Sequence, residues 1–369
     1  MQTSSLPGDH FTEVLARLPA GVDLTALAFE TRAIERRRDI GDGASLLRLA
    51  LARGPGGLSL SQTAAWAGMI GLTELSSPGV KYRVDKAADF LDALVSRLLA
   101  EATQGTPAHW PGRILRAADG SGISQNASQG LDWRVHGVFD LGRGRFSHLA
   151  LTDVQGAESM ARGAVLEGEI RIGDRNYARA GVLRDLREQS NNKADFIVRV
   201  SWRAFALTTQ VGRHFDLADH LARLPDTAGP HEICVYARTG RKTPPLPLRV
   251  IIMRKSPEAA EASRRKLPRN ALRKQKKLNP RTVLAAGFMI LATSLPTEGY
   301  KADAICAAYR LRWQIELAFK RLKSLLHMDQ IPTRTAPASR SWLLSHLLLA
   351  TLSDEMTQDL LECFPCGPE

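Results

Sequence analysis

The sequence predicts an α/β protein that opens with a helical region, and three observations carry that prediction. Apolar residues recur at helical spacing through residues 11–105. From residue 113 onward, short β-rich runs ending in Asp-Gly or Gly-Asp alternate with helical stretches. The length, 369 residues, allows two or three domains at about 150 residues each. Apolar residues make up 44% and charged residues 24%, which excludes wholesale disorder and a membrane-embedded chain. The net charge is +12, from 50 Lys and Arg against 38 Asp and Glu. So positive a chain suits a polyanionic partner, nucleic acid before an acidic membrane surface.

The helical region comes first. Phe11, Val14, Leu15 and Leu18 share one face, as do Phe90, Leu91, Leu94, Leu98 and Leu99. Between them, Leu60 to Gly68 reads as the first helix and turn of a helix-turn-helix or as part of an ordinary bundle. Ser76-Ser77-Pro78-Gly79 then opens a helix bearing Lys81, Arg83 and Lys86. Pro107, Pro111 and Gly112 mark a boundary. Ile114 to Ala118 reads as a strand ending at Asp119-Gly120. Trp133 to Leu141 and Phe146 to Val154 read as a hairpin around Gly142-Arg143-Gly144, and Ile170 to Ile172 as a fourth strand ending at Gly173-Asp174. A helix is expected from Ala178 to Gln189, then a strand at Phe196 to Val200 and strand-like sequence to about residue 253. Residues 254–281 carry eleven Lys or Arg, including Arg273 and Lys274, against Glu258 and Glu261. Such a one-signed concentration fits a phosphate-facing surface. Phe288 to Ala292 reads as a buried strand, and one long helix is expected from Ala302 to Leu326.

Four cysteines, at 234, 306, 363 and 366, are too few for a disulfide framework. The lone C-x-x-C of Cys363 and Cys366 is a weak metal signal and reads as incidental. Residues Met1 to Phe11 carry no apolar signal core. The apolar run Leu347 to Leu352 is far short of the ~20 residues that span a bilayer. A cytoplasmic protein is expected.

Asp119 and Asp174 stand at strand ends and Glu316 on the long helix. Three carboxylates suit a hard cation such as Mg²⁺, and two ions ~3.5–4 Å apart can clamp the attacking and leaving oxygens of a phosphodiester. The chain has 38 acids, so spacing alone does not select these three. The helix adds to the case. At ~100° per residue, Tyr309, Arg312, Glu316 and Lys323 fall at about 0°, −60°, −20° and −40°, within one arc. A carboxylate flanked by two cations and a phenol can hold an ion beside phosphates, or can equally be a solvated, salt-bridged face.

Tyr309, Arg312, Glu316 and Lys323 follow the spacing Y-x2-R-x3-E-x6-K. This resembles the signature of bacterial cut-and-paste DDE transposases of insertion-sequence family four. Ala118-Asp119-Gly120-Ser121-Gly122 resembles the family's first-aspartate block, and Gly173-Asp174-Arg175-Asn176-Tyr177 its second. The resemblance covers about 113–330 and extends loosely over 11–105. It implies a ribonuclease-H-like catalytic domain interrupted by a mostly β insertion, with a helical N-terminal domain. The expected division is 1–105 for DNA binding, 106–189 and 286–335 for the catalytic core, 190–285 for the insertion, and 336–369 for a short helical C-terminal region, possibly truncated against its relatives.

By the same resemblance, Asp119, Asp174 and Glu316 would bind two Mg²⁺, with Mn²⁺ able to substitute. Tyr309, Arg312 and Lys323 would grip phosphates, and Arg199 would be a further end-DNA contact. Phe288 would stand where relatives place a base-stacking Trp, although a core strand role also fits it. The implied function is recognition of terminal inverted repeats, followed by DNA strand cleavage and strand transfer, with a homodimer on the DNA. The alternatives are a decayed or repressor-like DNA-binding copy and another ribonuclease-H-like metal nuclease.

Overall fold

The computed structural model describes residues 11–103, 110, 112–125, 128, 130–226, 229–240, 243–273, 275, 277–328 and 331–363. The chain begins with α1 (Phe11–Ala16), α2 (Leu24–Glu30), α3 (Gly43–Arg53), α4 (Leu60–Met69), α5 (Ser77–Lys86) and α6 (Ala88–Thr103). Local chemistry sets their starts. Asp23, Asp42, Ser59 and Ser76 each accept hydrogen bonds from the first-turn N–H groups of the helix that follows. Ser59 and Gln62 complete a reciprocal capping box, and Pro78 sits where its missing N–H costs nothing. Helices α4 and α5 are the pair expected as a helix-turn-helix. Seven residues, 70–76, join them, with Gly71 at φ +68° supplying the left-handed turn.

The strands are β1 (Ile114–Ile123), β2 (Trp133–Asp140), β3 (Arg145–Asp153), β4 (Glu169–Gly173), β5 (Asp195–Arg199), β6 (Leu207–Thr208), β7 (His231–Ala237), β8 (Leu246–Arg254) and β9 (Phe288–Thr293). The remaining helices are α7 (Ala180–Gln189), α8 (Leu217–Arg223), α9 (Pro257–Arg273), α10 (Pro280–Ala285), α11 (Ala302–Arg310), α12 (Trp313–Leu325) and α13 (Ala336–Cys363). All nine strands join one mixed sheet in the order β3-β2-β1-β4-β5-β9-β8-β7-β6. β1, β4 and β5 run parallel, and the other neighbouring pairs are antiparallel.

Three expectations change. β1 does not stop at Asp119 but continues to Ile123, paired with β2 throughout, because β2 is long enough to supply partners from Asp140 back to Trp133. Residues 190–285 are not mostly β: α8, α9 and α10 interrupt β5–β8, and those strands extend the same sheet. The long helix expected over 302–326 is two helices. At the joint, Leu311, Arg312, Gln314 and Ile315 N–H groups each bond to the carbonyl three residues back, a tighter winding than the α-helix.

Apolar side chains cover both faces of the sheet. On one face, α6, α12 and α13 pack over β1–β3, and Leu91, Leu94, Phe319, Leu343 and Leu347 share one core with Val135 and Phe146. Across β5, β8 and β9, Leu183, Leu186, Leu217 and Leu221 from α7 and α8 cover one side. Ile305 and Ala308 from α11 cover the other, against Ile172, Ile197 and Leu291. Each fully buried Leu, Ile or Phe contributes about 1.5–3 kcal/mol. α13 also packs on α3, α5 and α6, and so joins the N-terminal helices to the rest.

Candidate active site

Asp119 lies mid-strand in β1, opposite Gly137 of β2, and its Oδ1 accepts the Gly120 N–H at 2.8 Å. Asp174 follows the last residue of β4, the parallel neighbour of β1, and its Oδ1 accepts the Asn176 N–H at 2.8 Å, capping a short helical turn. Ala117 and Ile172 are register partners, so each aspartate lies two residues beyond them, at the carboxyl side of its strand. Ligand sites in α/β sheets form there. Gly173 keeps the approach to Asp174 tight, since a Cβ there would stand 2.7 Å from Met160 Sδ and 3.0 Å from Tyr177 Cβ.

The third carboxylate arrives on α12. Ile315, Ala318, Phe319 and Leu322 face the sheet, which leaves Glu316 on the open side. Gly137 makes the docking possible: a Cβ there would come within 2.8 Å of both Phe319 and Phe146. Lys323, one turn from the helix end, donates to the Gly122 carbonyl at 2.8 Å and pins α12 to β1.

Arg312 stands among the acids. Its Nη2 is 2.6 Å from Glu316 Oε1 and its Nη1 is 4.0 Å from Asp119 Oδ2. It is also within hydrogen-bonding reach of the Tyr309 hydroxyl. Its Nε is buried without a partner. Burial pushes the Asp119 carboxyl up to about 6; the Gly120 N–H and Arg312 oppose the rise, and the charges of Asp174 and Glu316 add to it.

Beside the acids lies a cavity of about 470 Å³ lined by Arg175, Arg199, Trp202, Lys255, Lys266 and Phe288 among others, with no carboxylate in its wall. Lys255 donates to Ser263 Oγ and the Ala286 carbonyl, each at 2.8 Å. Burial lowers its pKa, and Arg199 and Arg175 lower it further. Arg199 Nε is buried with no partner. A basic, carboxylate-free cavity is chemically suited to an anion.

A family model described as "Transposase DDE domain" matches residues 110–352. The chain belongs to the DDE transposases. It is 37% identical over 360 residues to the putative transposase InsL for insertion sequence element IS186A of Escherichia coli (strain K12), covering 97% of this chain and 96% of that protein. It is also 37% identical over 361 residues to the transposase for insertion sequence element IS421 of Escherichia coli, with the same coverage. The structure of a piggyBac transposase synaptic complex with hairpin DNA is similar at a TM-score of 0.46 and 10% identity, over 97% of this chain and 75% of that one. That likeness is too loose to carry an argument.

DDE transposases cut DNA and transfer strands, generally with divalent metal ions. In this transposase the donor chemistry of Asp119, Asp174 and Glu316, all hard oxygens, fits such a cation. As placed, however, no three His, Cys, Asp or Glu side chains among the described residues converge closely enough to hold one, and Glu316 is paired with Arg312. No helix among the described residues is long and apolar enough to cross a membrane.

The other expected contacts are distributed as follows. Tyr309 is buried at the end of α11, on the far side of the joint from Glu316, so the four signature residues do not share one helix. Arg199 reaches the basic cavity. Phe288 is buried in β9, with the Arg254 guanidinium 4.9 Å from its ring centre, and also lines the basic cavity. Trp202, less buried, donates from Nε1 to Thr282 at 3.2 Å in the same wall. Arg273 is exposed at the end of α9, whereas Lys274 lies outside the described residues, as does Cys366.

Sequence reasoning missed Arg175, Trp202 and Lys255 as parts of the cavity. The first two had a readable signal, since Arg175 follows Asp174 directly and Trp202 lies three residues beyond Arg199. Lys255 was only one of eleven cations in its segment.

Proposed function

We propose that this chain is a cut-and-paste transposase of insertion-sequence family four, which binds the terminal inverted repeats of its element, cuts at their ends and joins the freed strand to a target. The observation that carries this reading is the charge coupling of Asp119 with Asp174 and Glu316 beyond the carboxyl end of the parallel β1–β4 ladder, with Arg312 and Lys323 at the signature spacing. The order β3-β2-β1-β4-β5, with β2 antiparallel to β1 and β1, β4 and β5 parallel, supports a ribonuclease-H-like core. β5 belongs to that core, so the insertion expected over 190–285 would begin after β5; residues 1–105 would be a DNA-binding region and residues 336–369 the C-terminal region. The protein would act as a homodimer on DNA in the cytoplasm.

In this reading Asp119, Asp174 and Glu316 hold two Mg²⁺, or Mn²⁺ in substitution. The ions supply Lewis-acid stabilisation to the attacking and leaving oxygens of the phosphodiester. Arg199, Arg175 and Lys255 hold neighbouring phosphates in the basic cavity, where low solvent access strengthens each charge-assisted hydrogen bond. Lys323 and Tyr309 brace the strand being cut, and Arg273 and Lys274 meet the backbone farther out. The test is a cleavage assay on linear DNA carrying the element's own ends, with Mg²⁺ or Mn²⁺, comparing the natural protein with Glu316→Gln. Boundary cleavage by the natural protein, and binding without cleavage by the variant, is the expected result. Undiminished cleavage by Glu316→Gln overturns the assignment.

A further inference from the structure

The position of Arg312 raises a question that the site's chemistry does not answer. Arg171 satisfies its donors with Glu169 and the carbonyls of Met160, Arg162 and Ala164. Arg312 does not. It has one short contact to Glu316, one at 4.0 Å to Asp119, the Tyr309 hydroxyl within hydrogen-bonding reach, and a buried Nε with no partner. Its positive charge lies between two of the three carboxylates, where a cation would have to sit to be shared by them. As placed, the described residues include no group of three His, Cys, Asp or Glu side chains that could hold an ion. Arg312 also occupies the joint between α11 and α12, where three-residue hydrogen bonds replace the α-helical ladder. The side chain can therefore be re-aimed by a change at the joint, without unwinding either helix.

We propose that Arg312 is a built-in counter-ion: in the free protein its guanidinium substitutes for the cation of the carboxylate site, and a divalent ion binds only as Arg312 releases Glu316. The inference rests on the reading of Asp119, Asp174 and Glu316 as the ion-holding set. Ion binding and guanidinium release are then one exchange, and by linkage each opposes the other. Between two and three carboxylates facing one another without any cation would repel; Arg312 relieves that repulsion while the site waits. Once released, the guanidinium is free to meet a phosphate, so that ion and DNA favour the same rearrangement.

The test is equilibrium Mn²⁺ binding to the DNA-free protein, with free Mn²⁺ measured by electron paramagnetic resonance. The natural protein is compared with Arg312→Gln, which keeps length and hydrogen-bonding capacity but loses the charge, and with Arg312→Lys, which keeps the charge. Asp119→Asn identifies the ions bound at this site. Arg312→Gln is expected to bind Asp119-dependent Mn²⁺ at least about fivefold more tightly than the natural protein, a modest coupling between sites, with Arg312→Lys closer to the natural value. A merely structural arginine would give the opposite sign, because a disordered site binds an ion more weakly. Equal or weaker binding by a folded Arg312→Gln overturns the exchange while leaving the functional reading intact. Absence of any Asp119-dependent Mn²⁺ binding in all the proteins overturns both.

Discussion

β1 and β4 each carry an arginine and, three residues on, an aspartate: Arg116 and Asp119, Arg171 and Asp174. The two ends of this short ladder are opposites. At one end, Arg116 lies 3.3 Å from Glu169 and 3.7 Å from Asp140, and Arg171 lies 2.5 Å from Glu169, with all four side chains at most 2% exposed. Two cations meet two anions, and backbone carbonyls take up Arg171's remaining donors. At the other end, two of three acids, Asp119 and Glu316, share Arg312, Glu316 is half exposed, and Asp119 holds its proton to a higher pH than an ordinary aspartate. The paired end stabilises the sheet because its charges are matched and dry. The other end is left short of positive charge, and that shortage is what suits it to the cations of the proposed site.

Several substitutions break or sharpen this contrast. The largest effect is expected from Asp174→Asn. Loss of an ion-holding carboxylate should remove several kcal/mol of transition-state stabilisation, about 10³-fold in cleavage rate, with the melting transition kept. Single-turnover cleavage of end DNA reads the first and a thermal melt the second. Cleavage reduced only in proportion to folded protein would put Asp174 among the structural charges.

Glu169→Gln should act on stability instead. Removing the shared anion leaves Arg171 buried without a counter-charge and Arg116 with Asp140 alone, at a cost of about 3–5 kcal/mol in urea unfolding. A loss below 1 kcal/mol would mean that water reaches the network.

Asp119→Asn should have the reverse sign. Its folded carboxyl titrates near 6 because of burial, above the usual carboxylate range. The folded state thus binds the proton more tightly than the unfolded chain, and stability falls as pH rises through roughly 4 to 6. Above that window the ionised carboxylate costs about 1–3 kcal/mol, which the neutral amide avoids. The variant should therefore unfold at higher urea than the natural protein at pH 7.5 and at nearly the same urea at pH 3.5. A destabilised variant at both pH values would abolish the distinction between the two ends.

The smallest effect is expected from Arg199→Ala. Fewer phosphate contacts should lower the slope of log K against log salt for end DNA by about 1, with little change in unfolding. An unchanged slope would remove the basic cavity from the DNA path.

Much of this was legible in the sequence. The strand before Asp174 announced itself by its Gly-Asp stop, whereas β1 runs on past Asp119-Gly120, and Asn, Ser and Asp caps marked several helix starts. The signature spacing selected Glu316 from 38 acids. What stayed hidden was three-dimensional. Nothing local says that Gly137 is the gap through which Phe319 seats α12. Arg116, Asp140, Glu169 and Arg171 look individually like surface charges on strands, and only pairing across β1, β2 and β4 reveals them as core. The joint at Arg312 escaped because Tyr309 to Lys323 contains no Gly or Pro, and a helical pattern read at a constant 100° per residue does not register a tighter turn. Phe288 carries two readings in the sequence, and its place in β9 and in the cavity wall is compatible with both.

The packing of α13 on α3, α5 and α6 has a consequence in time. The apolar surface of α3, α5 and α6 is completed by Trp342, Leu343 and Leu347, which a ribosome adds long after those helices. Until then the helices wait with one flank open, and the closing contact joins residues far apart in the chain, an entropic handicap for rapid closure. A frameshift ahead of α13 would thus be felt in helices encoded far upstream of it.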